Sequence, residues 1–160
     1  VIARNAASVT ATDFNEEVLT IARAKRLPPG RVKFLQADAY ALPAFNESFD
    51  TGLAAFWWSH LPKSRLRSFL AGFHGALRPG ARVVFIDNSY VEGSSTPIAR
   101  RDAEGNTYQQ RRLNDGSEHE VLKNFPTAED LRAVVAGMAA CVTVELLAYF
   151  WLLRYEVRHS

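Results

Sequence analysis

Val9-Thr10-Ala11-Thr12-Asp13-Phe14-Asn15-Glu16-Glu17 is the stretch whose reading decides the fold. Val9, Ala11 and the two threonines suit a short strand covered on both faces. The strand ends in an acid and runs straight into a helix. Asn15 is a good N-cap, and Glu16 and Glu17 fall in the first turn, where carboxylates favour the positive end of the helix dipole. The helix is expected to reach about Arg26, with Val18, Ile21, Ala22 and Lys25 as its inward stripe. An acid at the carboxyl tip of a parallel strand faces the crevice where open α/β sheets bind ligands. Asp13 could there accept hydrogen bonds from two adjacent hydroxyls, as holding a ribose requires. The alternative is a capping or turn aspartate.

Upstream, Val1 to Ala7 reads as the last turns of a helix entered midway. Downstream, Leu27-Pro28-Pro29-Gly30 is a turn, and Val32 to Asp38 is a second strand that ends in an acid. Phe49 to Phe56 is a third strand, followed by a loop, Trp57-Trp58-Ser59-His60-Leu61-Pro62. Leu66, Phe69, Leu70, Phe73 and Leu77 recur at helical spacing and predict a helix from about Ser64 to Leu77. Arg78-Pro79-Gly80 is expected to stop it. Ala81 to Asp87 is a fourth strand, again closing on an acid. Strand and helix alternate to this point, which implies parallel pairing with right-handed crossovers. The tips Asp13, Asp38 and Asp87 are then expected to converge on one crevice.

Beyond Asp87 the pattern changes. Gly93 to Gly105 reads as a polar loop. Tyr108–Leu113 and His119–Lys123 flank a hairpin turn at Asn114-Asp115-Gly116-Ser117. Thr127 with Asp130 is a capping box, opening a helix with Leu131, Val134, Val135 and Met138 inward. Val142–Ala148 and Phe150–Val157 read as an antiparallel strand pair. No internal repeat or linker is evident, so the 160 residues are expected to form a single domain.

The bulk composition narrows the function classes. Hydrophobic residues at 48% and charged residues at 22% describe a globular chain. A net charge of +2 is too small to argue for a polyanionic partner, and no nucleic-acid module is present. Arg100-Arg101 and Arg111-Arg112 are local basic pairs, read as solvated loop or as attraction for an anionic substrate. One cysteine, Cys141, excludes an internal disulfide and fits a reducing, cytoplasmic compartment. It lies in an apolar run and is expected in the core. The apolar run from Leu146 to Leu153 is too short to span a membrane. No residue cluster suggests a metal, and the oligomeric state is not encoded in any motif.

Phe49 to Pro62 (FDTGLAAFWWSHLP) and Leu77 to Asp87 (LRPGARVVFID), taken with the strand ending at Asp13, resemble the class I S-adenosylmethionine-dependent methyltransferases. The resemblance runs from Ser8 through Asp87, and the closing helix and strand pair match as well. It implies a Rossmann-like sheet, mostly parallel, with a C-terminal antiparallel pair. It also implies S-adenosyl-L-methionine as cofactor. Asp13 then corresponds to the acid that binds both ribose hydroxyls, and Phe14 to the apolar residue beside the adenine. Asp38 corresponds to the acid that accepts from the adenine amino group, with the Ala39 amide nearby. Ala55 and Phe56 match the strand end that lines the cofactor and the methyl path. His60 matches the histidine often written before Leu-Pro, as a candidate base or as a residue that ties the loop. Trp57, Asn88 and Tyr90 are candidates on the acceptor side, and Phe56, Trp57, Trp58 and Tyr90 for cation–π contact with the sulfonium.

The family's first strand and its glycine-rich loop should precede the helix that ends near Ala7, and none of the nine glycines stands in such a pattern. The resemblance therefore implies a sheet whose central first strand is missing. The chain as given is expected to lack methyl transfer even where the full-length protein has it. The region from about Glu92 to Asn124 matches no general motif and is the expected place of acceptor-specific structure, with the hairpin as a lid. A small molecule is the expected acceptor. Two other classes compete: a nicotinamide-dependent Rossmann oxidoreductase, where an acid also binds ribose, and a non-catalytic binding module that keeps the fold without turnover.

Overall fold

The computed structural model describes residues 2–158. It resolves two compact units, Val1–Asn46 and Glu47–Ser160. In the first, the expected amino-terminal helix is α1 (Ile2–Asn5), with Val1 outside the described residues. The deciding stretch forms β1 (Val9–Asp13) and α2 (Glu16–Arg23), and β2 (Val32–Gln36) follows. β1 and β2 pair in parallel, from Val9 opposite Val32 to Asp13 opposite Gln36. Asn15 caps α2 as its residue type requires: its side-chain oxygen accepts from the Glu17 amide at 2.8 Å.

Two details of this unit differ from expectation. α2 stops at Arg23, and its buried residue is Leu19, while Val18 and Ile21 are 45% and 65% exposed. The inward face is thus rotated by about one residue, or 100°. A two-stranded sheet offers a narrow surface, and one leucine covers it. For the same reason β1 is half-buried, not covered on both faces.

The second unit contains β3 (Phe49–Ala55), α3 (Leu66–Gly75), β4 (Leu77–Asn88), β5 (Arg100–Arg101), β6 (Thr107–Arg112), β7 (Glu118–Leu122), α4 (Ala128–Val135), β8 (Ala139–Leu146) and β9 (Phe150–Val157). A four-stranded sheet has the order β3-β4-β9-β8. β3 and β4 are parallel, and β9 is antiparallel to both β4 and β8. The mixed α/β architecture with its closing antiparallel pair is therefore present. β5, β6 and β7 form a separate antiparallel sheet.

Alternation explains the core. Leu77, Ala81, Val83 and Phe85 of β4 and Trp151, Leu153, Tyr155 and Val157 of β9 are buried on one face. Phe85, fully buried, is ringed by Trp58 at 5.0 Å, Phe73 at 5.5 Å and Phe69 at 6.2 Å between centroids. The apolar face of α3 supplies two of these rings. α3 starts later than expected, because Pro62 and residues 63–65 form a 3-10 turn first. Pro79 and Gly80 do not end the preceding helix before a fresh strand. They are absorbed as a bulge in β4, where pairing jumps from Phe49–Leu77 to Thr51–Arg82.

The capping box is present in full: the Thr127 hydroxyl accepts from the Asp130 amide and the Asp130 carboxylate from the Thr127 amide. Leu131 and Val135 are buried, whereas Val134 and Met138 are only half-buried. The hairpin turn also forms, with Gly116 at φ +87°, a value that favours glycine. Cys141 departs from expectation. It sits at φ +54° where the β8 ladder slips, and the irregularity turns it out to solvent. Among the described residues no helix is long and apolar enough to cross a membrane.

Candidate active site

In the first unit the strand register brings the predicted residues to one end of the β1–β2 pair. The Ala37 amide donates to the Asp13 carbonyl at 3.0 Å, and the Gln36 side chain donates to the Phe14 carbonyl at 3.0 Å. Asp13 is half-buried. Its Oδ1 accepts from the Asn15 amide at 2.8 Å, and Oδ2 takes no hydrogen bond from a described residue. The turn role and an open acceptor edge thus coexist in one carboxylate, because each oxygen has its own lone pairs. Phe14 is 73% exposed. Asp38 lies two residues past the end of β2, in a turn where its Oδ1 accepts from the Tyr40 amide at 2.9 Å. Ala39 is half-buried between them.

In the second unit the predicted residues gather at the carboxyl ends of β3 and β4. Ala55 closes β3, and the Phe56 amide donates to the Ile86 carbonyl at 2.8 Å. Phe56 has φ +56°, an uncommon conformation for an aromatic residue. Its ring is half exposed and meets Phe150 edge-on at 6.0 Å. Trp57 is half-buried against Phe69 at 6.4 Å. Trp58 is corrected from candidate to core: it is 2% exposed, edge-on to Phe85 and Trp151, and offers no free face to a cation. Tyr90 is 38% exposed and packs edge-on against Phe125 at 5.3 Å.

His60 closes a 3-10 turn, Trp58–His60. Its Nδ1 lies 2.9 Å from the Leu122 carbonyl. A carbonyl can only accept, so Nδ1 carries the proton and Nε2 the lone pair. Burial pushes the imidazole pKa below its usual value, and the nearby Lys123 charge lowers it further. The ring is therefore neutral at pH 7 and ties the loop to β7, while Nε2 stays basic.

The third strand-tip acid behaves differently from the first two. Asp87 is fully buried and does not face an open crevice. Its Oδ2 accepts from the Ser59 amide at 2.9 Å, and its Oδ1 accepts from the Asn88 amide at 2.8 Å and from Lys123 Nζ at 3.1 Å. Lys123, 5% exposed in its side chain, also donates to Ser59 Oγ at 2.7 Å and to Asn88 Oδ1 at 3.1 Å. The root of the hairpin is thereby pinned to the tip of β4. Asn124 extends the clasp, donating from its backbone to the Ser59 carbonyl at 2.7 Å and from Nδ2 to the Leu61 carbonyl at 3.0 Å. Sequence reading missed Lys123, Ser59 and Asn124. Each is polar, within or beside a segment read as loop or hairpin, and no periodicity marks it as buried.

The basic pairs are mostly solvated, as one of their two readings held. Arg100 is engaged by Glu120 and lies 3.8 Å over the Tyr108 ring. Arg101, Arg111 and Arg112 are exposed. Among the described residues no group of histidine, cysteine and carboxylate side chains could hold a metal.

Comparison with known proteins shows the family and the fold. The family described as "Methyltransferase domain" matches residues 1–80. A demethylmenaquinone methyltransferase of Thermus thermophilus is 31% identical over 156 residues, covering 89% of this chain and 68% of that protein. One from Clavibacter sepedonicus is 32% identical over 102 residues, covering 62% of this chain and 39% of that protein. Among solved structures, a DhpI–SAM–HEP complex superposes with a TM-score of 0.77 at 22% identity, covering 96% of this chain and 70% of that one. SAM-bound CalS10, an amino pentose methyltransferase from Micromonospora echinaspora, gives 0.69 at 16% identity, covering 98% and 76%.

Proposed function

We propose that this chain, which belongs to the class I S-adenosylmethionine-dependent methyltransferases, serves methyl transfer from S-adenosyl-L-methionine to a small-molecule acceptor. The observation that carries the residue assignment is the Asp13 carboxylate at the tip of a parallel strand, with Oδ2 unengaged ahead of a capped helix. This donor set fits the cofactor: Asp13 would take the ribose hydroxyls, Phe14 and Ala39 would flank the adenine, and Asp38 would accept from its amino group. Ala55, Phe56 and Trp57 would border the sulfonium, where an aromatic ring contributes about 0.5–2 kcal/mol by cation–π attraction.

When bound, S-adenosylmethionine supplies an already activated methyl group. What remains for the protein is to orient the acceptor and to exclude water. Positioning of this kind can lower a barrier by ~7–11 kcal/mol in well-oriented systems. Where the acceptor atom must shed a proton, Nε2 of His60 receives it. Asn88 and Tyr90 face the acceptor, and the β6–β7 hairpin covers it. A cytoplasmic location belongs to the same proposal, supported by the single unpaired cysteine.

The family assignment disfavours the nicotinamide reading. Calorimetry on the native full-length protein tests it: S-adenosylhomocysteine should bind and NAD should not. Labelled methyl transfer should then be assayed with demethylmenaquinone, the compound named for the curated relatives, and with other small acceptors. Binding of NAD in place of S-adenosylhomocysteine would overturn the function, and cofactor binding without turnover on any acceptor would favour a non-catalytic module.

A further inference from the structure

We propose that Lys123 is the positioning residue of the acceptor side: its buried ammonium sets which polar atom Asn88 presents, and its peptide group sets which one His60 presents. This rests on the placement of Asn88 and His60 at the acceptor, as given above.

An ammonium has three donors and no acceptor. Those of Lys123 go to Ser59 Oγ, Asp87 Oδ1 and Asn88 Oδ1, at 2.7, 3.1 and 3.1 Å. Only the amide oxygen of Asn88 can answer such a donor, so that oxygen is turned inward. Its Nδ2 takes no partner among the described residues and is left as a donor. The amide cannot flip without placing two donors against a buried cation.

The backbone of the same residue acts on His60. The Leu122 carbonyl and the Lys123 amide belong to one planar peptide unit. The Lys123 N–H donates to the Thr107 carbonyl at 2.8 Å, which fixes that plane, and the Thr107 hydroxyl donates back to the Lys123 carbonyl. The Leu122 carbonyl on the other edge of the plane is thereby held 2.9 Å from His60 Nδ1. It forces the Nδ1–H tautomer and hands the lone pair to Nε2. The charged groups acting on the ring are Lys123 and Arg111, which disfavour its protonation, and Asp87, which favours it. One lysine thus fixes a donor at Asn88 and an acceptor at His60, and the acceptor pocket receives a defined polarity.

The test is a long-range proton–nitrogen correlation spectrum of the histidine-labelled chain, which reads the tautomer of each imidazole without cofactor or turnover. In the wild type His60 should be the Nδ1–H form. In Lys123→Met/Asp87→Asn, which removes both buried charges together and leaves the peptide group in place, His60 should stay Nδ1–H, while the Asn88 side-chain amide signals, read on an asparagine-labelled sample, should shift as its oxygen loses the ammonium. His74 is the internal control, because its ring is bonded to Tyr155 Oη at 2.7 Å. A wild-type Nε2–H tautomer at His60 overturns the proposal, and so do Asn88 amide signals that stay unmoved in the double variant with His74 unchanged. If the double variant loses the His74 signature, the wild-type tautomer decides alone. Failure of the methyltransfer reading would show separately, as absent S-adenosylhomocysteine binding with the His60 tautomer and the Asn88 shift as expected.

Discussion

Replacing Asp13 by asparagine is the sharpest probe of the proposed cofactor assignment, because the structure gives the two oxygens of this carboxylate different surroundings. Oδ1 already accepts from the Asn15 amide at 2.8 Å, and asparagine keeps an oxygen for that bond. The other oxygen becomes an NH2 group, a donor where the ribose hydroxyls must themselves donate. The variant therefore loses a hydrogen bond to a charged acceptor, worth about 1.5–3 kcal/mol, while the start of α2 stays intact. At 1.4 kcal/mol per decade that is roughly a 10- to 150-fold weaker Kd for S-adenosylhomocysteine. Asp13→Ala should weaken binding at least as much and also lower the melting temperature, since the Asn15 amide then loses its partner. Calorimetric titration of the native full-length protein, with thermal unfolding run alongside, gives both numbers. An Asp13→Asn variant that binds within about twofold of wild type, at an unchanged melting temperature, would refute the ribose role.

Gly52→Ala should cost about 1–3 kcal/mol in urea denaturation, because the new Cβ would lie 2.7 Å from Phe73 Cε1 and Cζ and 3.0 Å from Leu77 Cδ1. Phe73→Leu in the same chain should recover part of the loss, and an unshifted midpoint would contradict the packing described. Folding holds His60 with a pKa below 6.5, chiefly by burial, so its contribution to stability is full above pH 6.5 and is lost as pH falls through the lowered value. Unfolding free energies measured against pH should therefore be flatter on the acid side in His60→Gln, and an identical slope would show that His60 does not titrate as described. Replacing residues 113–117 by a tight two-residue turn should leave S-adenosylhomocysteine affinity intact and reduce methylation of the acceptor on the order of tenfold, the effect of one 1.4 kcal/mol contact. Undiminished turnover would remove the tip of the hairpin from acceptor recognition.

Three strands read alike in sequence, each an apolar run closing on aspartate, and the structure gives the three acids different fates. Local chemistry made Asp13 legible: the Asn15 cap and the first-turn glutamates depend only on near neighbours, and the bond from the Asn15 amide follows from them. Asp38 sits beyond its strand, a shift of two residues that propensity alone does not resolve. Asp87 was legible as a strand tip but not as a buried ion pair, since its partner Lys123 is thirty-six positions away. The apolar face of α3 and the capping box of α4 were readable for the same reason as Asn15. The rotation of α2 onto Leu19 was not, because it depends on how wide a surface β1 and β2 offer. Cys141 illustrates the same limit, as an irregular strand pairing exposes a residue whose apolar neighbours predict burial.

The Asp87–Lys123 pair is better understood as a register device than as a source of stability. Two charges removed from water are offset only when their hydrogen bonds are complete, and an apolar pair of similar volume is often as stable. Here every donor of Lys123 is used, and both oxygens of Asp87 are occupied. An apolar pair could slide along β4 by a residue with little penalty. This pair cannot, because any slip would leave a buried ammonium facing carbon. The hairpin root is consequently fixed to one position on the strand tip, next to the His60 turn, while the exposed tip at Leu113 to Ser117 is free to vary. Under the proposed function, the tip is where acceptor specificity would change, with the polarity at Asn88 and His60 undisturbed.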